Sequence, residues 1–150
     1  MERQRRYLFP GQVAVTRTPT AITTILGSCV AVTLWDGQRG IGGMNHFMLP
    51  LFAGSSARSA RFGNVAMEEL VTQMSDAGST LGFLRARVFG GSCMFPAMQS
   101  ATHLGNQNVE VALEFLGRRG VEIVQVDVGG DRGRKLVFHT DEGAAWLTTI

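Results

Sequence analysis

Two side chains in this sequence, Cys29 and His46, have the types and spacing that acyl-transfer chemistry uses. Cys29 ends the segment LGSC, where a Gly-Ser turn leads into a β-prone run. A thiol there can stand exposed while backbone N–H groups of the turn, those near Ser28 and Cys29, point beside it. A tetrahedral oxyanion must be met by such preorganised donors. A free thiol has a pKa of about 8.5, so it reacts well near neutrality only beside a base or a cation. His46, in the run GGMNHFMLP, is the candidate base. With a turn at Gly37 to Gly40, position 46 falls across from residues near 30 or 31, in or close to side-chain reach of Cys29. Free cysteine is also among the most buried residue types. From the residues alone, Cys29 stays open between a reactive thiol and a small core hydrophobe.

The other chemistry-bearing residues are less pointed. Cys93, in FGGSCMF, has no local histidine and reads as a buried thiol in a tight corner. His103 and His139 read as surface or capping residues. Asp127, Asp131, Asp141 and Glu142 lack the spacing of paired catalytic carboxylates or of a calcium loop. Two cysteines are too few for a disulfide scaffold, and neither sits in a CxxC pair, so no zinc or other metal is expected. The glycine runs match neither the phosphate-binding loop nor the dinucleotide fingerprint, so no cofactor is expected. A net charge of +2 predicts no strong attraction to nucleic acid. The basic cluster Arg3, Arg5 and Arg6 reads as a solvated chain end. No apolar run approaches the roughly 20 residues that span a bilayer, and the start lacks the apolar core of a secretory signal. A cytoplasmic protein with free thiols and no membrane insertion is the expectation.

These residues must be positioned by a strand-rich framework. The chain has the length of one domain, residues 1–150, and 45% hydrophobic against 17% charged residues suits a compact fold. Strands are expected at Gln12 to Val15, Ala21 to Leu26 and Cys29 to Trp35. The last shows clear alternation and forms a hairpin, through Asp36-Gly37, with Ile41 to Leu49. A loop from Phe52 to Ala60 follows, then a helix from Asn64 to Ala77 and a strand from Leu84 to Phe89. A second helix runs from Asn106 to Arg119, its stripe Val109, Ala112, Leu113 and Leu116, with Gly120 as its stop. Val121 to Val128, Lys135 to Thr140 and Ala145 to Thr149 complete the strands. The fold class is α+β, mostly strands with two amphipathic helices to cover a sheet face.

At this point the chain resembles the CheD family of chemoreceptor glutamine deamidases. The resemblance rests on TTILGSCVAVTLWD, GGMNHFMLP, RFGNVAMEELVTQM, ARVFGGSCMF, LGNQNVE and DVGGDRGRKLVFHTDEG, in family order over nearly the whole chain. It implies Cys29 as nucleophile and His46 as base. A threonine six positions before the cysteine completes the family's site, here Thr23, with Thr24 as the alternative one residue on. It also implies a β-sandwich of mixed sheets with two flanking helices, like the catalytic domain of cytotoxic necrotising factor toxins. The implied reaction is deamidation of glutamine side chains through a cysteinyl thioester, with hydrolysis of glutamate methyl esters as a related activity. The implied partners are the cytoplasmic helical domain of methyl-accepting chemotaxis receptors and a CheC-type phosphatase, for which the chain could instead act as an adaptor. Arg87, where lysine is common, and Cys93, where a small residue is usual, depart from the family pattern.

Overall fold

A computed structural model describes all residues except Met1, Ala53, Ser55, Ser56, Pro96, Met98, Gln99 and Ala101. The Phe52 to Ala60 loop expected from sequence therefore falls partly outside the described residues. The strands are β1 (Gln4–Tyr7), β2 (Val13–Thr16), β3 (Thr20–Leu26), β4 (Val30–Asp36), β5 (Ile41–Asn45), β6 (Leu84–Gly90), β7 (Glu122–Val128), β8 (Arg134–His139) and β9 (Ala144–Thr149). The helices are α1 (Gly63–Asp76) and α2 (Leu104–Arg119).

The strands form two mixed sheets. One has the order β1-β3-β8-β9, the other β2-β5-β4-β6-β7. The pairs β1 with β3 and β6 with β7 are parallel; the rest are antiparallel. Period-two alternation divides each strand between two faces. In β4, Val30, Val32 and Leu34 join Ile41, Ala86 and Val88 in a core shared with Ala66, Met67, Leu70 and Met74 of α1 and with Val109, Ala112 and Leu116 of α2. The opposite face, with Ala14, Ala31, Met44 and Phe89, meets Ile22, Leu26, Leu136 and Phe138 of the other sheet. The layers are therefore sheet, sheet and helices, and the central strands β4 and β5 are buried on both faces. Each fully buried large side chain contributes about 1.5–3 kcal/mol relative to exposure.

The N-terminus differs from its expectation. Arg3, Arg5 and Arg6 are not a loose end: β1 pairs with β3, and Arg3 binds Asp141 at 2.8 Å and also Glu142. All four side chains of β1 are exposed, so no apolar alternation marks the strand in the sequence. Its order comes from backbone pairing and from a carboxylate 138 positions away. The strand expected to continue to Leu49 stops at Asn45. Beyond it, Val30 and Phe47 form one isolated bridge, after which Met48 and Leu49 donate to the Arg61 carbonyl instead.

Candidate active site

Cys29 follows the turn between β3 and β4, and His46 follows β5. The β4–β5 register pairs Thr33 with Met44, and the Val30–Phe47 bridge keeps it. Continued through the gap, it sets His46 opposite Ala31, as the hairpin expectation placed it. Cys29 is then a diagonal neighbour of His46 on one face, a relation that spaces Cα atoms about 7–8 Å apart with Cβ atoms closer. That face looks toward the second sheet. Cys29 packs at the edge of the inter-sheet core and is half-buried, whereas His46 is 1% exposed.

The second sheet supplies the partner of His46. Thr24 Oγ1 lies 2.7 Å from His46 Nδ1 and 2.7 Å from the Leu8 carbonyl oxygen. The contact anticipated at Thr23 is thus made by Thr24. Strand alternation explains the difference: Ile22, Thr24 and Leu26 are buried against the opposite sheet, while Ala21, Thr23 and Ile25 face outward. Thr23 contributes its carbonyl, which accepts from Leu8 N–H at 2.8 Å and so seats Leu8.

This geometry fixes the imidazole tautomer. The Leu8 carbonyl can only accept, so the single hydroxyl proton of Thr24 goes to it. The Thr24 lone pair then accepts from Nδ1–H, leaving Nε2 as a bare lone pair. Nε2 is buried and has no hydrogen-bond partner among the described residues. Burial pushes the imidazole pKa down to about 4, partly offset by the nearby Leu8 backbone. Burial also pushes the Cys29 thiol up, opposed by its own backbone N–H. Near neutrality Cys29 is therefore a protonated thiol and His46 a neutral imidazole.

The backbone around Cys29 is tied on its carbonyl side. Gly91 N–H donates to the Cys29 carbonyl and Ser92 N–H to the Gly27 carbonyl, both at 2.9 Å. The N–H groups of Ser28 and Cys29 donate to no other described residue, and that of Cys29 faces its own sulfur. A pocket of about 600 Å³ opens beside Ser28, between Met94, Phe95, His103 and Leu104, with Cys93 in its wall. Cys93 is buried, and its sulfhydryl donates to the Phe95 carbonyl at 3.4 Å. His103 is the N-cap of α2, accepting from Asn106 N–H, and the His139 ring packs tilted against Trp146, centroids 4.4 Å apart. Neither reaches Cys29 or His46 through any hydrogen bond.

Asn108 was not singled out by the sequence reading. It sits fully buried on α2 and donates both Nδ2 protons, to the Ser28 and Met48 carbonyls at 3.0 Å each. The signal was present: Asn108 lies with Gly105, Val109, Ala112 and Leu116 on the buried face of the helix, the one long polar side chain in that stripe.

Fold and site together define a layered α+β protein in which a thiol and a threonine-held imidazole share one sheet face, turned toward the second sheet. A family model described as CheD, chemotactic sensory transduction, matches residues 48–149, starting just after His46. Two curated relatives span the cysteine and histidine as well. One, from Anaeromyxobacter dehalogenans (strain 2CP-C) and named "Probable chemoreceptor glutamine deamidase CheD 1", is 50% identical over 99% of this chain and 86% of its own length. The other, from Trichlorobacter lovleyi and named "Probable chemoreceptor glutamine deamidase CheD", is 41% identical over 96% of this chain and 89% of its own. The chain belongs to the CheD family. A crystal structure of a Neisseria meningitidis protein of the DUF152 family has the same fold in outline, with a TM-score of 0.51 at 13% identity over 86% of this chain and 63% of that one.

Proposed function

We propose that this protein deamidates glutamine side chains on the cytoplasmic helical domain of chemotaxis receptors, with Cys29 as nucleophile and His46 as base. The observation that carries the reading is the bare Nε2 of a buried, Thr24-oriented imidazole on the same sheet face as a partly exposed thiol. The names of the curated relatives supply the substrate class. The seat of both groups between stacked sheets is consistent with a kinship to the cytotoxic necrotising factor type of cysteine hydrolase.

His46 Nε2 takes the Cys29 proton as the sulfur attacks the side-chain amide carbon. The N–H groups of Ser28 and Cys29 receive the oxyanion, and loss of one such donor typically costs 10²–10³-fold in rate. His46 returns the proton to the leaving nitrogen, the C–N bond breaks and ammonia departs, leaving a glutamyl thioester. Water, deprotonated by His46, adds to the thioester carbon. Collapse breaks the C–S bond, and glutamate and the free thiol are regenerated. The same acyl chemistry extends to glutamate methyl esters. Thr24, being neutral, orients the imidazole without stabilising its cation as a carboxylate would. The reaction places the protein in the cytoplasm, where the receptor helices lie.

Mass spectrometry of a receptor cytoplasmic fragment tests this directly. The wild-type protein converts amide to acid, and Cys29→Ala and His46→Gln do not. Full conversion by Cys29→Ala would refute the nucleophile. A second reading, docking of a CheC-type phosphatase, is favoured by the exposed Met94, Phe95 and Leu104 beside Ser28. It would prevail if the wild-type protein converted nothing and bound the phosphatase tightly.

A further inference from the structure

We infer that Asn108 is a positioning residue that sets the oxyanion donor of Cys29 by gripping the other end of the same peptide group. The inference rests on the reading of Cys29 as nucleophile and adds to it a residue on a different element.

The β4–β5 ladder ends at Val30 and Phe47, which exchange both backbone hydrogen bonds at 3.0 and 2.9 Å. In an antiparallel ladder the next such pair would be Ser28 with Leu49, the Leu49 N–H donating to the Ser28 carbonyl. That rung is missing, because Leu49 N–H turns to the Arg61 carbonyl at 3.0 Å. The two strands part at this point, opening the chain around Cys29. The Ser28 carbonyl would be orphaned, and so would that of Met48, two residues beyond His46. Asn108 reaches from α2 into the gap and satisfies both with one amide. Its orientation follows from the partners, since two carbonyls can be met only by the NH₂ side. Its Oδ1 is left buried without a partner among the described residues, a cost accepted at this position.

The consequence for chemistry comes from peptide planarity. The Ser28 carbonyl and the Cys29 N–H belong to one rigid plane and point in opposite directions. Fixing the carbonyl therefore fixes the direction of the N–H, which donates to no other described residue. A hydrogen bond accepted at the carbonyl also polarises the group and strengthens its N–H as a donor. Close approach of α2 makes this reach available: Gly105, one turn before Asn108, packs on the Gly91 and Ser92 carbonyls, where a Cβ would lie 2.7 Å from the Ser92 oxygen. The Cys29 carbonyl is held from the other side by Gly91. The nucleophile is thus clamped on both flanking peptides.

The experiment compares wild type, Asn108→Ala and Asn108→Leu on a receptor cytoplasmic fragment, with the rate of Cys29 alkylation by iodoacetamide followed in parallel. Alkylation has no oxyanion, so it reports the thiol and its access alone. Both variants should lose about 10- to 100-fold in kcat, as small displacements of a catalytic donor do, while KM and alkylation rate change less than about threefold. Asn108→Leu fills the amide's volume, so an unfolded Asn108→Ala alone does not end the test. Unchanged kcat in a folded variant overturns the inference, as does a loss of alkylation parallel to the loss of kcat. An inactive wild type would instead refute deamidation itself, a result the parallel measurement keeps distinct.

Discussion

Acid should destabilise this protein through His46 over a defined pH range. The imidazole is 1% exposed and its pKa is held at about 4, against an ordinary 6.5. Between these two values the unfolded chain takes up a proton that the folded chain refuses, so stability rises with pH across the range. The contribution is whole above pH 6.5 and is lost as the pH falls toward 4. A difference of about 2.5 pKa units at 1.36 kcal/mol each amounts to about 3 kcal/mol. His139, also pushed down by burial, acts in the same direction. Asp36 and Asp141 are held below the usual carboxylate range, by hydrogen bonding that outweighs burial in Asp36 and by Arg3 first in Asp141. Their contributions survive to more acid pH. These background groups cancel when wild type is compared with His46→Gln by denaturant unfolding from pH 7.5 to 4. Wild type should lose about 3 kcal/mol more than the variant over that span. Parallel curves would refute the buried neutral imidazole, and with it the bare Nε2. The same reasoning sets the acid limb of kcat/KM near pH 4, not near 6.5.

Thr24→Val keeps the strand and the side-chain volume but strips His46 Nδ1 and the Leu8 carbonyl of the hydroxyl. It should cost about 1–3 kcal/mol in unfolding and about tenfold in kcat, whereas Thr23→Val, on the outer face, should change each by little; equal effects would contradict the alternation of β3. In a Cys93→Ala background, the alkylation rate of Cys29 should climb with pH through the ordinary thiol range without an acid plateau, because burial raises this thiol. A plateau below about pH 7 would indicate a resting thiolate–imidazolium pair instead. Gly105→Ala should destabilise by about 1–3 kcal/mol in thermal or denaturant unfolding despite its better helix propensity, because the added methyl meets the Ser92 carbonyl; a stabilised variant would show that α2 can retreat freely.

What the sequence determined by itself was local. Alternation in β4, the Asp36-Gly37 turn and the return of β5 are short-range patterns, and they were enough to bring His46 opposite Ala31 and near Cys29. The helices were legible from their apolar stripes and from Gly120, whose φ of +67° ends α2. What lay across the inter-sheet gap was not. The choice of Thr24 over Thr23 depends on which face of β3 meets the second sheet, and two adjacent threonines give no pattern to decide it. The Leu8 carbonyl is delivered by β1, a strand whose exposed arginines carry no periodicity and whose order comes from pairing with β3 and from Asp141. Asn108 acts on backbone carbonyls, and backbone groups have no sequence signature. Nearest-neighbour chemistry along the chain could place the thiol and the ring on one hairpin; only packing of the second sheet and of α2 could decide which hydroxyl, which carbonyl and which amide hold them there.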